Sequence, residues 1–170
     1  MSWLTGETIE QAVDRCAETD TVRQAFIGVY PHNSLPTTTP PPPHHHHHHR
    51  PLPLTLVINT DTHNLPGRHW ISIYIDKQRQ QGEIFDSLAT PPSAHVVRFM
   101  GQHCRKWVMN RLIYQHPLSS YCGVYVLLHV LHRHRYNSLE TFCSTYFSSS
   151  LTDNDRLMRD YYRHFLFPRM

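Results

Sequence analysis

Residues 117–135 read PLSSYCGVYVLLHVLHRHR: a polar turn that runs straight into a segment apolar on nearly every side. The pattern predicts a helix over 122–135, and a helix whose first turns lack a polar face is one buried in the middle of a domain. Cys122 opens it. The N-terminus of a helix carries partial positive charge and unpaired N–H groups, which favour the thiolate, the nucleophilic form of cysteine. Gly123, next to it, lets another backbone or a substrate come close. A lone cysteine before an apolar helix is more often a small core residue than a nucleophile, so its partners have to decide.

Working outward, residues 54–59, 70–76 and 83–86 are short and rich in branched and aromatic side chains, and they read as strands that are neighbours in one sheet. Ser93 can cap a helix running to about residue 105, with Val97, Met100 and Cys104 on one face, and 108–115 reads as a further strand. Upstream, Ile9, Val13 and Cys16 fall at helical spacing behind Thr5, which predicts an amphipathic helix over 7–17, followed by a short apolar stretch at 25–30. Two amphipathic helices close the chain. One starts at Leu139 with Asn137 and Glu140 set like a capping box, and the other follows Thr152 with Leu157, Met158, Tyr161, Tyr162 and Phe165 available for packing. The predicted class is α+β, a mixed sheet packed against helices with the buried helix starting at Cys122.

The expectation is a single domain over 1–170, a length that buries roughly 70% of the surface of the unfolded chain. One stretch departs from it. Between 31 and 53 lie eight of the 13 prolines (31, 36, 40–43, 51 and 53) and seven of the 16 histidines (32 and 44–49), which marks a low-complexity loop rather than a fold element. The net charge of +3 comes from scattered basic residues, not from the runs of a nucleic-acid tract, so only weak polyanion binding is expected. Cys16, Cys104, Cys122 and Cys143 show no paired CxxC spacing, and the first residues have no charged-then-apolar leader, which predicts free thiols in a reducing intracellular compartment. The apolar run at 124–131 is interrupted by His129 and falls short of the ~20 residues needed to span a membrane, so a soluble protein is expected.

Three further residues bear on Cys122. His69 sits between the turn at 65–68 and the strand that starts at Trp70, a mounting from which an imidazole can project while its support stays rigid. Asp86 ends the next strand, and two adjacent strands ending at one rim would bring its carboxylate to the ring, to fix the tautomer and stabilise the imidazolium. Gln115 closes the strand before the nucleophile turn, where its amide could donate to an oxyanion beside the backbone N–H of Cys122. Each has an ordinary reading as well: a surface histidine, a turn cap and a solvated strand end.

The strings NTDTHNLPGRHWISIYID (59–76), GEIFDSL (82–88) and YQHPLSSYCGVYVLLHVLH (114–132) resemble the adenoviral endopeptidases and, more broadly, the clan that includes the SUMO-specific proteases. The order histidine, acid, glutamine, cysteine is kept, the reverse of papain-like enzymes, and six residues separate Gln115 from Cys122 where the SUMO-specific branch usually has five. AFIGVYPHNSLP (25–36) resembles the stretch before the first strand in adenoviral proteases. The resemblance implies an adenain-like fold with His69, Asp86, Gln115 and Cys122 as the catalytic set, and a cysteine endopeptidase that cuts after glycine in short extended motifs. It also implies maturation of virion proteins of a DNA virus or virus-derived element, in the host nucleus or the virion, with no cofactor required. Adenoviral proteases are activated by a small viral peptide that can be tethered through a cysteine, and Cys104 is the counterpart the resemblance suggests here. Asp86 stands where many of these enzymes have glutamate, and His116 where glycine is common.

Other readings stay open. A deconjugase of ubiquitin-like modifiers would use the same residues, and an inactive protease kept as a structural component would retain them without turnover. The six histidines at 44–49 would bind nickel, zinc or copper, which suggests a metal-binding interaction module; a proline-flanked homopolymer fixes no ligand geometry, however, and low-complexity expansion accounts for it more simply than an engineered tag.

Overall fold

A computed structural model of the chain describes residues 3–37, 51–60 and 69–168. The Pro/His-rich stretch predicted as a loop lies outside these residues over 38–50. Helix α1 (Gly6–Cys16) is capped by Thr5, whose Oγ1 accepts from Thr8 N, and buries Ile9, Ala12 and Val13. A short helix α2 (Asp20–Ala25) follows, capped by Thr19. Strands β1 (Phe26–Pro31), β2 (Leu54–Asn59), β3 (Trp70–Asp76) and β4 (Gln81–Phe85) precede helix α3 (Ala94–His103) and strand β5 (Lys106–Met109). Helix α4 (Cys122–His132) runs into a 3₁₀ turn at Arg133–Arg135, and α5 (Leu139–Tyr146) and α6 (Leu151–Tyr161) lead to a π-helical turn at Tyr162–Leu166.

The five strands form one mixed sheet in the order β1-β2-β3-β4-β5. The outer pairs are parallel, and the β2–β3 and β3–β4 pairs are antiparallel. Alternation along the strands divides the core in two. Leu54, Leu56, Ile58, Ile71, Ile73, Ile75 and Ile84 face α3, whereas Val57, Trp70 and Phe85 face α4 together with α1 and the C-terminal helices. Ile58, Ile71, Ile73, Ile75 and Ile84 are all buried, each worth about 1.5–3 kcal/mol of transfer free energy. All residues of α4 are buried, which accounts for its apolar circumference.

Four expectations need correction. The strand expected over 108–115 stops at Met109, because the Asn110 side chain takes over the pairing: Oδ1 accepts from Asp86 N at 2.9 Å and Nδ2 donates to Asp86 O at 2.7 Å. Gln115 therefore lies in irregular chain rather than at a strand end. In α3 the buried face is Val96, Phe99 and Met100, while Val97 is 42% exposed; valine occurs in both registers, and the bulk of Phe99 settles the choice. The last two helices are capped by Ser138 and Ser150, not by Asn137 and Thr152. Leu157 and Phe165 are exposed, and Met158 and Leu166 are the residues that α6 and the π-helical turn bury.

Candidate active site

Antiparallel pairing of β3 with β4 sets Ser72 opposite Phe85, so the start of β3 and the end of β4 share one rim of the sheet. His69 stands just before β3, with its carbonyl accepting from Thr60 N at 2.9 Å. Asp86 stands just after β4 and is buried. His69 Nε2 and Asp86 Oδ1 are 2.7 Å apart. The carboxylate is held on its other sides as well, accepting from Leu88 N at 2.8 Å and Thr90 N at 3.1 Å. The turn between these amides closes through Ala89, a non-glycine residue at φ 50°, whose N–H donates to Asp86 O at 2.9 Å.

The ring also interacts with the Cys122 sulfur. With Nε2 taken by Asp86, Nδ1 is the nitrogen left to face the sulfur. Burial of the ring acts to lower the His69 pKa, but the interactions with Asp86 and Cys122 outweigh it and push it up to about 10, which keeps the ring an imidazolium at neutral pH. Cys122 is the first residue of α4 and is itself buried; Tyr121 before it offers no side-chain cap. Leu4 packs over the helix start: a Cβ on Gly123 would lie 3.1 Å from the Leu4 side chain, which is why that position takes glycine.

Gln115 is buried, with both ends of its carboxamide engaged: Oε1 accepts from Ser87 Oγ at 2.6 Å and Nε2 donates to Ser119 O at 3.0 Å. The residues on either side of it are fixed too. Tyr114 N and Gln115 N both donate to Ser87 O, and Tyr114 O accepts from Tyr125 Oη and Asn154 Nδ2. Cys104 lies elsewhere, at the end of α3 against the opposite sheet face beneath Gly82, half-buried, and burial pushes its thiol up to about 11.

His69, Asp86 and Cys122 thus meet in one contact chain, with Gln115 on the segment that leads into the nucleophile turn. Sequence reasoning missed the supports: Asn110, Ser87 and the amides of Leu88 and Thr90. Asn110 gave a signal, a buried amide in the middle of an expected strand. A second polar group was missed entirely, on the α4 face of the sheet. Ser72 Oγ donates to His129 Nδ1 at 2.7 Å, His129 Nε2 donates to Glu83 Oε2 at 2.7 Å, and Arg133 grips Glu83 through Nε and Nη2 at 2.7–2.9 Å. Burial holds His129 below its ordinary pKa, so it stays neutral. Glu83 is pushed up by burial but more strongly down by His129 and Arg133, so it stays ionised. Among the described residues no cluster of three or more His, Cys, Asp or Glu could hold a metal ion, and no helix is long and apolar enough to cross a membrane. The tract at 44–49 lies outside the described residues.

Residues 54–164 match the Ulp1 protease family, C-terminal catalytic domain. Two crystal structures of a protease of African swine fever virus (ASFV) are similar to the chain. One aligns 69% of this chain with 45% of that one at 26% identity and a TM-score of 0.55. The other aligns 99% of this chain with 68% of that one at 19% identity and a TM-score of 0.67, a likeness of fold. In the first of these alignments the chain spans less than half the length of the viral protein. No curated protein matches. The family match takes in well over half of the chain, from the first residue of β2 to the end of α6 and beyond, and the chain belongs to the Ulp1 protease family as a cysteine-type peptidase domain.

Proposed function

We propose that the chain is a cysteine endopeptidase that uses Cys122 as nucleophile, His69 as base and acid, Asp86 to orient the ring, and Gln115 with the Cys122 backbone N–H to receive the oxyanion. One observation carries this reading: the His69 ring is hydrogen-bonded to Asp86 at 2.7 Å and also interacts with the buried Cys122 sulfur at the start of α4. The sulfur attacks the scissile carbonyl carbon, its proton having passed to His69, and the tetrahedral oxyanion collapses to a thioester as His69 gives that proton to the leaving amine. A water then gives a proton to His69 as its oxygen attacks the thioester, and a second collapse frees the acid and the sulfur, with the proton left on His69.

The substrates in this reading are polypeptides cut after glycine in short extended motifs, and the role is maturation of virion proteins in the virion or infected cell. The resemblance to adenoviral enzymes and the likeness to a viral protease support it. A short activating peptide is an expected partner; Cys104, half-buried with its thiol pushed up by burial, would be a slow tether for one. One observation favours a second reading, deconjugation of a folded ubiquitin-like modifier: the nucleophile turn and the segment before it expose Leu118 (90%), Leu112 (65%) and Ile113, an apolar surface such a domain could cover.

An electrophile on an apolar-x-Gly-Gly peptide should label Cys122, and folded Cys122→Ala and His69→Ala should lose both labelling and hydrolysis. Full hydrolysis by Cys122→Ala refutes the assignment. If fusing a whole ubiquitin-like domain to the probe raises the labelling rate by about 10³-fold, ~4 kcal/mol of transition-state binding, the deconjugase replaces the maturation protease.

A further inference from the structure

A glutamine amide is a useful oxyanion donor only in one of its two orientations. The oxygen and nitrogen ends are nearly equal in shape, and turning the group by 180° would aim a carbonyl oxygen, not an N–H, at the developing negative charge. Something must hold the group the right way round. At Gln115 two contacts do so together. The Ser119 carbonyl can only accept, so it admits the NH₂ end, which it meets at 3.0 Å. Ser87 Oγ then lies 2.6 Å from the oxygen end and donates to it. Reversing the amide would set two acceptor oxygens against each other at Ser119.

Ser87 is fully buried and tied into the same strap, since its carbonyl takes the N–H groups of Tyr114 and Gln115 at 2.8 and 3.1 Å. It directly follows Asp86 in sequence, so one dipeptide sets the acid behind the base and the orientation of the oxyanion donor. We infer that Ser87 is a positioning residue for the reaction: its hydroxyl fixes the Gln115 carboxamide so that Nε2 keeps one hydrogen on Ser119 and presents the other to the oxyanion. The inference rests on the oxyanion role given to Gln115 above.

The test compares wild type, Ser87→Ala, Gln115→Ala and the double variant on a peptide substrate. Ser87→Ala should lower kcat about 10- to 100-fold with KM little changed, less than the ~10²–10³-fold seen on losing one oxyanion donor outright because the amide is misoriented rather than removed. In the Gln115→Ala background the same substitution should cost nothing further, because there is no amide left to orient; a merely structural serine would add its loss in both backgrounds. Two reagents separate the site from the fold. Inhibition by a peptide aldehyde, whose adduct places an oxyanion in the hole, should weaken in Ser87→Ala, whereas alkylation of Cys122 by iodoacetamide, which forms no oxyanion, should keep the wild-type rate. If Ser87→Ala does not fold, Ser87→Cys fills the same space with a weak donor and should show the same pattern. Unchanged kcat in a folded variant, or additive losses in the double variant, overturns the positioning role. Unchanged kcat in Gln115→Ala removes the oxyanion reading itself, and with it the basis of this one.

Discussion

Replacing Arg133 by methionine should be among the most damaging single changes outside the active site. The guanidinium makes three hydrogen bonds to Glu83 at 2.7–2.9 Å, donates through Nη1 to Tyr136 O at 2.7 Å, and stacks 4.5 Å over the Tyr74 ring. Methionine keeps most of the apolar stem and removes all of these bonds, leaving a buried carboxylate with His129 alone. Breaking a buried ion pair from one side costs ~3–5 kcal/mol. In a chain of 170 residues, at about 2–4 °C per kcal/mol, the melting temperature should fall by about 6–20 °C. The loss should also depend on pH. In the wild type the folded-state pKa of Glu83 lies below its ordinary 4.5, so the stability it lends is present above that value and is lost as pH falls through the folded pKa. Without Arg133 burial dominates and raises the folded pKa, so the variant loses stability as pH rises above 4.5. Melting curves at pH 5 and pH 8 should show the smaller deficit at pH 5, and adding Glu83→Met should return at least half of the loss at pH 8. A fall of less than about 3 °C at pH 8 would mean that Glu83 is not held as an ionised, buried partner.

Asp86→Asn should lower kcat between about 10²- and 10⁴-fold by removing the carboxylate that fixes the ring. Because the pKa of His69, raised to about 10, rests largely on that carboxylate, the alkaline limb of kcat against pH should move down toward the ordinary 6.5; an unmoved limb would detach the ring's protonation from Asp86. The same raised pKa makes His69 stabilising below 6.5, a contribution lost as pH rises through about 10, so wild-type melting should fall more steeply over that window than melting of the variant. Gly82→Ala would put a methyl against Cys104 Sγ and 2.7 Å from Met100 Cε, costing ~1–3 kcal/mol of overpacking, and Cys104→Ala should restore much of the melting temperature. Deleting 38–50 should leave hydrolysis intact and abolish retention on a nickel column. The nine residues left between β1 and β2 reach about 30 Å at full extension, more than these six-residue strands need for a parallel return, so loss of hydrolysis in a folded deletion variant would make the tract part of the machinery.

The legible parts of the chain are those where one local pattern leaves no rival. Strands β2 and β3 run over the residues that their branched and aromatic content marked, and Thr5 is alone in position to start α1. The juxtaposition of His69 and Asp86 followed from two strands sharing a rim. Where several residues could do the same work, sequence could not choose. YNSLE and SSSLT each offer more than one cap, and α3 offers two faces with a valine on each. Helix α2, six residues long, has no room for a periodic signal. The end of β5 depends on Asn110 reaching a backbone 24 residues away, and the supports of Gln115 come from Ser87, 28 residues back. The buried Ser72, His129, Glu83 and Arg133 group left one trace, a histidine inside the apolar run of α4.

The two ends of the described chain meet. Arg15 of α1 donates to Leu166 O and lies 5.0 Å from the centre of the Phe167 ring, while Leu4 packs over Gly123 and takes the Trp70 indole N–H on its carbonyl at 3.1 Å. Helix α1, just after the Leu4 that packs over the start of α4, is therefore fastened by residues made some 150 positions later. Contacts of that separation form last, because the loop they close is costly until the rest is in place. During synthesis Cys122 leaves the ribosome well before these contacts can form. Arg15 meets its partners only once residue 167 has emerged, so a growing chain carries the nucleophile before α1 is fastened to the C-terminal turn.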